Sequence, residues 1–324
     1  MYLLVTVDTE EEFKWDEGFD RNATSVKNIH DHHNHMYDFY RENEIVPILA
    51  LSYPVLQDKS ASDLIKNYYK AGEAIAAAHL HPWVTPPFKE EVNSFNSYPG
   101  NLPYALEYEK LKVLTDYFKD VMDDADVKIY KAGRYGIGPN TTKTLSELGY
   151  EYDLSLHPGK NCSYDGGPDQ RYVKYHLFKD KQGITHIPVT GLFTGPLSGK
   201  KLVQDMVFSE KLSCFRVRGI FSRLGLCEFT TLTPENTPLE DLKKMTLHGK
   251  EQGITLFQMT YHSSVFRPGY IPDIKTDEDV LFYRKRIQDY IAFFKSIGGR
   301  SVQSFTEIDS IIGSSSIKKT SKAA

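Results

Sequence analysis

Short runs of β-prone residues alternate with longer helical segments along most of this 324-residue chain. In the helical segments, apolar residues recur every three to four positions. A repeat of strand and then helix favours βαβ units around a parallel sheet. The predicted strands are 2–7, 46–51, 74–79, 128–133, 150–155, 185–190, 254–262 and 302–307. The predicted helices are 25–43, 60–71, 104–122, 139–148, 238–252 and 277–297.

Eight predicted strands are close to the number in a seven- or eight-stranded barrel, so we expect one barrel domain over residues 1–309. The stretch 156–237 breaks the alternation, because it is rich in Gly, Tyr and Lys. It predicts two or three antiparallel strands and no helix, and we interpret it as an insertion over one face. Beyond residue 309 the sequence becomes rich in Ser and Lys, which predicts a flexible tail over 310–324.

The charge, the cysteines and the apolar runs of the sequence exclude some classes of function and location. The formal net charge is −4, and Lys and Arg are scattered, which argues against a nucleic-acid partner. Cys162, Cys214 and Cys227 form no CxxC pair and predict free thiols in a reducing compartment. The first residues contain no signal-peptide pattern, and no apolar run reaches the length of about 20 residues that a membrane span needs. We therefore expect a cytoplasmic protein with no membrane span.

Acidic and histidine pairs follow two of the predicted strands, where parallel α/β folds place their chemistry. Asp8 and Glu10 are two residues apart, so an extended chain directs both carboxylates to one side. His79 and His81 have the same spacing. Together they offer a general base and ligands for a divalent metal. The alternatives are a solvated acidic loop and strand-end histidines bonded to backbone.

Three more polar residues occur at or near strand ends. Arg134 ends a buried-looking strand, where an arginine needs a carboxylate partner. Asp153 lies in the fifth predicted strand, and His262 follows a strongly apolar one. The alternative interpretations are an ordinary ion pair for Arg134 and a satisfied core histidine for His262.

The sequence "HDHHNH" at 30–35 is denser in histidine than any other segment. Its periodicity places it on the first helix, where His32 and His35 could share a face. That helix would cover the outside of the barrel, away from the strand ends. We therefore interpret the cluster as a solvated or partly packed helix face and not as a metal site.

Six segments, in this order, resemble the polysaccharide deacetylase superfamily, also called the NodB-homology or carbohydrate esterase family 4 fold. They are "LVTVDTEEEF", "LALSYPV", "AAHLHPWVTPP", "AGRYGIGPNT", "LGYEYDLS" and "MTYHSSVFRPG". The chain looks most like a branch without secretion signals that is associated with bacterial surface-polysaccharide biosynthesis. The resemblance implies a distorted (β/α)7 barrel and removal of N- or O-acetyl groups from sugars. It also implies a divalent metal, commonly zinc, with cobalt, manganese or nickel as alternatives.

The resemblance assigns Asp8 as catalytic base and Glu10, His79 and His81 as metal ligands. Two of these assignments depart from the common pattern. Thr9 stands where the family usually has an aspartate ligand, so the carboxylate ligand moves to Glu10. Trp83 stands where the second histidine usually lies, so His81 is its substitute.

The resemblance further implies that Arg134 orients the base, that His262 is the catalytic acid and that Asp153 partners that histidine. A backbone N–H near Tyr135 would stabilise the oxyanion. We expect Trp83, Tyr164 and the loop 165–169, which ends at Asp169, to contact the sugar. Simple loop packing is the alternative for these aromatic residues.

The expected function is a metal-dependent hydrolase that removes an acetyl group from a sugar or glycan precursor. Three alternatives stay open at this point. One is a non-catalytic glycan-binding or regulatory protein on a degenerate barrel. Another is a hydrolase of non-sugar C–N bonds of the allantoin or imide type. A glycosidase is the last, because its two carboxylates would leave the histidines without a purpose.

Overall fold

A computed structural model describes residues 1–14, 17–123, 125–235 and 237–314. The strands are β1 (Tyr2–Thr9), β2 (Ile48–Leu51), β3 (Ile75–Leu80), β4 (Ile129–Ala132), β5 (Tyr152–Asp153), β6 (Phe178–Lys179), β7 (Thr185–His186), β8 (Gly191–Thr194), β9 (Glu228–Thr231), β10 (Leu256–His262) and β11 (Arg300–Ser301). The helices are α1 (Asn28–Asn43), α2 (Tyr53–Gln57), α3 (Lys59–Ala71), α4 (Tyr104–Val121), α5 (Thr141–Glu147), α6 (Lys201–Phe208), α7 (Val217–Arg223), α8 (Leu239–Glu251), α9 (Asp277–Ser296) and α10 (Phe305–Ser314).

The main sheet has the order β10-β1-β2-β3-β4-β5-β7-β6, with β11 also paired to β1. Its pairs are parallel except for β6 with β7. Strand pairing among the described residues leaves β10 at one edge of a curled parallel sheet. The structure is thus barrel-like, and closure into the distorted (β/α)7 barrel that the resemblance implies is not confirmed. Irregular chain reaches that edge instead, because Thr190 N–H donates to the Gln258 carbonyl at 3.1 Å and Thr260 N–H to that of Leu232 at 3.2 Å.

Alternate residues of the strands enter two different apolar clusters. Leu3, Val5 and Val7 of β1 pack with the apolar faces of the covering helices. Leu4, between them, belongs to a separate cluster on the other face of the sheet. We call that second cluster the concave core, and it consists of Leu4, Ile48, Ala50, Ala77, Ile129, Tyr152, Leu154, Ile187, Val302, Ile308 and Ile311.

The concave core contains residues from the end of the chain that the sequence predicted differently. The segment 302–307 is not a strand, since α10 begins at Phe305. Residues 310–314, predicted to be part of a flexible tail, belong to α10. The helical spacing of Ile308 and Ile311 buries both side chains against the strands, which explains the difference. Residues 315–324 of the predicted tail lie outside the described residues.

The insertion at 156–237 contains the predicted antiparallel strands, as the pairs β6–β7 and β8–β9. It also contains α6 and α7, which the sequence did not predict. Val203, Val207 and Phe208 of α6 pack on Phe193 and Phe229 of the small sheet, so tertiary contacts stabilise a helix that is only eight residues long.

Cys162 and Cys227 are free and buried, as predicted, whereas the side chain of Cys214 lies outside the described part of the chain. Among the described residues, none of the helices combines the length and the apolar character that crossing a bilayer requires.

Candidate active site

Polar side chains from four strands meet at the carboxyl end of the main sheet. The parallel register pairs Asp8 of β1 with His262 of β10, and His79 of β3 with Lys131 of β4. These residues continue the rows that start in the concave core, because side chains two residues apart point to the same face. Each row therefore begins with apolar residues at the amino end and ends with charged or imidazole groups.

Glu10, His79 and His81 form one compact group of metal-ligating side chains. The Glu10 Oε2 atom lies 3.2 Å from His79 Nε2 and 3.3 Å from His81 Nε2. The three side chains are buried. Their ligating atoms lie within 4.8 Å of one another, and the same is true of a second group, Asp8, Glu10 and His262. The structure therefore brings Glu10, His79 and His81 together, as the sequence predicts.

Hydrogen bonds behind the two imidazoles fix which nitrogen faces Glu10. His79 Nδ1 donates to the Lys131 carbonyl at 2.9 Å, and His81 Nδ1 donates to Glu11 Oε1 at 2.7 Å. The Nε2 atoms are therefore left to face the Glu10 carboxylate. Metal-bound histidines are usually held in this way, by a hydrogen bond from the ring nitrogen that does not bind the metal. Glu10 Oε1 is buried and has no hydrogen-bond partner among the described residues. This donor set of two nitrogens and one oxygen fits a divalent transition metal.

Charge around this group is balanced by mutual contacts. Burial would raise the pKa of Glu10, but His262, His79 and His81 together hold it well below its usual value. Burial would lower the pKa of His81, yet Glu11 and Glu10 raise it to about 10. The proton that His81 holds provides the positive charge next to Glu10 that a bound metal ion would otherwise provide. Metal binding at such a site would therefore release a proton.

Asp8 lies beside this group and contacts two cations. The Lys131 ammonium donates to Asp8 Oδ1, and it also donates to Thr260 Oγ1 at 2.5 Å. His262 Nε2 is 3.4 Å from Asp8 Oδ2. Burial would raise the pKa of Asp8, but Lys131 and then His262 outweigh it and lower the pKa. Asp8 is therefore an ionised carboxylate, able to accept a proton.

His262 is held by a carboxylate from a loop. Glu235 Oε1 accepts from both the backbone N–H and the Nδ1 of His262, each at 2.7 Å. Burial would lower the pKa of His262, but Glu235, Glu10 and Asp8 raise it to about 9. The ring is thus oriented with Nε2 directed toward Asp8.

Arg134 does not contact Asp8, contrary to the expectation that it orients the base. Arg134 and Tyr135 both have positive φ, 55° and 58°, so the chain turns sharply after β4. This turn directs the guanidinium to Asp165 and, at 2.6 Å, to Ser97 Oγ. Lys131, three residues earlier and inside the strand, occupies the place beside Asp8.

Asp153 does not contact His262, contrary to the expectation that it partners that histidine. Its carboxylate accepts from His186 Nδ1 at 2.8 Å and from the Ser155 backbone N–H at 3.0 Å. β5 is separated from β10 by four strands in the sheet, which explains why the two residues do not meet. Glu235 takes the place expected for Asp153.

The predicted sugar-contacting residues lie in different environments. Trp83 is 1% exposed and stacks on His81, with 4.2 Å between ring centres, so it packs behind a candidate ligand. Tyr135 is close to the candidate catalytic groups, since its ring centre is 5.0 Å from Lys131 Nζ. Asp169 forms an ion pair with Arg171, and Tyr164 is exposed on the surface.

The four histidines of "HDHHNH" lie on different sides of α1 and contact different neighbours. Ser60 contacts His30 at 3.1 Å, and Tyr68 contacts His33. His32 is buried, 3.2 Å from the Tyr261 hydroxyl, and His35 stacks on Phe266. Neither of the two metal-ligating groups among the described residues includes any of them.

Sequence reasoning missed Lys131, Glu235 and Glu11 as parts of the site. Lys131 carries a usable signal, because it is a charged residue two positions after Ile129 in an apolar strand, and a buried charge needs a partner. Glu11 is marked only as one of three consecutive glutamates. Glu235 lies in an irregular loop, where periodicity gives no orientation.

Three solved structures with a similar fold are described as carbohydrate-active proteins. A Mycobacterium smegmatis protein provisionally described as a polysaccharide deacetylase matches with a TM-score of 0.52 and 17% identity, over 90% of this chain and 84% of that one. A GH57-type branching enzyme from Pyrococcus horikoshii matches with a TM-score of 0.51 and 7% identity, over 95% of this chain and 70% of that one. An α-amylase from Thermotoga maritima matches with a TM-score of 0.50 and 9% identity, over 95% and 74%.

At these identities the similarity concerns the fold alone. The chain has the barrel-like α/β architecture that these proteins share. No family model matches the chain, and no curated protein matches its sequence.

Proposed function

We propose that this protein is a metal-dependent hydrolase that removes an acetyl group from a sugar or glycan precursor. The observation that carries the proposal is the juxtaposition of Glu10, His79 and His81 with the Asp8–His262 pair at one end of the sheet. A metal-ligating group, a carboxylate base and an imidazole acid are the parts that hydrolysis of an amide or ester needs.

Glu10, His79 and His81 would hold the metal, which when bound supplies Lewis acidity toward water and toward a carbonyl oxygen. Zinc suits this donor set, and cobalt, manganese and nickel are alternatives. Asp8 accepts a proton from the attacking water, and Lys131 keeps that carboxylate ionised and in place. His262, oriented by Glu235, delivers a proton from Nε2 to the departing group.

The remaining contacts support these roles. Glu11 orients His81, and the Lys131 carbonyl orients His79, so that both ligands are preorganised. Trp83 excludes water from the back of His81 by stacking on it. The Tyr135 ring, next to Lys131, forms one wall of the site.

The test is acetate release from a panel of N- and O-acetylated sugars by protein reconstituted with Zn²⁺. Asp8→Asn should lower the rate by about 10²- to 10⁴-fold, the range for loss of a general base. Asp38→Asn, on the exposed face of α1, is the matched control and should leave the rate unchanged. Release of reducing ends without acetate would instead favour a glycosidase, and binding of glycan without turnover would favour a binding protein.

A further inference from the structure

Lys and Arg are scattered over the whole chain, but one segment of the insertion has a positive local net charge. Residues 195–227, which we call the basic hairpin, comprise α6, α7 and the turns around them. They contain six Lys or Arg and two Asp or Glu, whereas the whole chain has a formal net charge of −4. The six basic residues are all exposed: Lys200, Lys201, Lys211, Arg216, Arg218 and Arg223.

The basic hairpin also exposes large apolar side chains. Leu202 of α6 is 74% exposed, and Ile220 and Leu224 of α7 are 51% and 65% exposed. Ile220 lies within α7 and Leu224 directly follows this helix, while Arg216 and Arg223 lie at its two ends. Apolar and basic side chains therefore share a surface.

Packing fixes which way this surface points. Val203 and Val207 of α6 are buried in the small apolar cluster of the insertion, and Phe221 of α7 packs against the same cluster. The opposite sides of both helices, with Leu202 and Ile220, consequently face outward. Nothing among the described residues buries those side chains.

An aromatic residue borders the basic hairpin. Tyr172 is 57% exposed, its ring centre is 5.6 Å from that of Phe208, and Lys201 Nζ lies 5.4 Å from it. Tyrosines are enriched where protein meets the headgroup level of a bilayer. This mixture of basic, aliphatic and tyrosine side chains is typical of surfaces that lie in a membrane interface.

We propose that the basic hairpin docks onto the surface of an anionic lipid bilayer. Lys and Arg would be attracted by the lipid headgroups, while Leu202, Ile220 and Leu224 enter the boundary between headgroups and acyl chains. A lipid surface accounts for both features, because an acidic partner would explain the charge but not the three exposed aliphatic side chains. The docking does not depend on the proposed function.

Two neighbouring residues, Gln170 and Arg171, link the basic hairpin to the candidate active site. Arg171 Nη1 donates to the Phe208 carbonyl at the end of α6 at 2.8 Å. Its neighbour Gln170 donates to the Tyr135 carbonyl at 2.6 Å. Docking would therefore place a wall of the site near the bilayer, where a substrate carried on a lipid would be within reach.

The experiment is sedimentation of the full chain with vesicles of phosphatidylcholine, with and without about one-third phosphatidylglycerol. We expect binding to the anionic vesicles only, and its loss at high salt. The variant R216Q/R218Q/R223Q should bind about 100-fold more weakly, at about fivefold per basic residue. The variant L202S/I220S/L224S should bind at least about tenfold more weakly.

The matched control is L281S/F282S on α9, which removes two equally exposed apolar side chains, 52% and 65% exposed, from an acidic helix start. It should bind like the unaltered protein. The proposal is overturned if the unaltered protein does not sediment with anionic vesicles. Equal binding to neutral vesicles, or an equal loss in the control, would also overturn it. Acetate release from a soluble sugar is measured on the same samples, so failure of docking and failure of the proposed function give different results.

Discussion

Two histidine-rich segments of this protein differ in what their neighbours allow them to do. The histidines at 30–35 lie on the outer helix α1, where each one contacts a different element, such as Ser60, Tyr68 or Phe266. His79 and His81 lie at the end of β3, where β1 supplies Glu10 between them and Glu11 behind one of them. Convergence on a shared carboxylate, and not histidine density, therefore distinguishes a candidate metal site.

The largest effect that the comparison predicts is on metal content. His79→Ala with His81→Ala should abolish stoichiometric metal binding and, with it, detectable hydrolysis, because two of the three proposed ligands are lost. His33→Ala with His35→Ala has the same spacing and should leave both unchanged. Mass spectrometry of the purified variants measures the metal. Metal lost only from the 33/35 variant would reverse the assignment of the two segments.

A second prediction concerns His262, a histidine that also converges on carboxylates. Glu235→Gln should lower kcat by about 10²-fold, because the ring loses the anion that orients it and favours its protonated form. Asp153→Asn should leave kcat nearly unchanged, since Asp153 is bonded to His186. Steady-state rates on the best acetylated sugar provide the measurement. The opposite order of effects would return the partner role to Asp153.

A third prediction concerns the hydrogen bond by which Glu11 orients His81. Glu11→Gln should weaken metal affinity by about 10- to 100-fold, the usual cost of losing a residue that orients a metal-bound histidine. Glu12→Gln is the neighbouring control, because Glu12 accepts from the Asn28 backbone N–H and does not contact His81. Competition with a chromophoric chelator gives the affinities. Equal weakening in both variants would mean that metal affinity depends on the local negative charge and not on the contact between Glu11 and His81.

The smallest predicted effect is on stability in acid, and it arises from α1. Burial lowers the pKa of His32 to about 3, while an unfolded histidine titrates near 6.5. The unfolded chain thus gains a proton that the folded chain cannot bind, so stability is complete above pH 6.5 and is lost as the pH falls toward 3. This residue should contribute a loss of about 2 kcal/mol between pH 6.5 and 5.

Urea unfolding at a series of pH values measures that loss. His32→Gln should flatten the pH dependence in this range, and His30→Gln, the partly exposed neighbour at the start of α1, should not. An unchanged slope in His32→Gln would contradict a neutral, buried His32.

Much of the fold and part of the site could be predicted because both depend on periodicity. Spacing at two residues places Asp8 with Glu10 and His79 with His81, and helical spacing identifies α1, α4 and α9. The site residues that escaped prediction depend on tertiary contacts. Glu235 reaches His262 from a loop, and Arg134 is turned away by two residues of positive φ.

The insertion and the chain end show the same limit. α6 is short and forms against Phe193 and Phe229, which local sequence does not reveal. The Ser- and Lys-rich composition after residue 309 predicts disorder, yet Ile311 is buried because the concave core offers it a place. Whether such a segment forms a helix depends on the tertiary contacts it makes, and local composition does not reveal these contacts.

The pairing of β1 has a consequence for biosynthesis. β1 leaves the ribosome long before β10 and β11, the two strands that pair with it. Until about 250 further residues are made, this apolar strand has one unpaired edge, and the concave core lacks Ile308 and Ile311. Exposed strand edges favour aggregation, and pairings between distant segments form slowly. Truncation before β10 should therefore yield an insoluble chain, and synthesis in the cell should engage chaperones until β10 and β11 emerge.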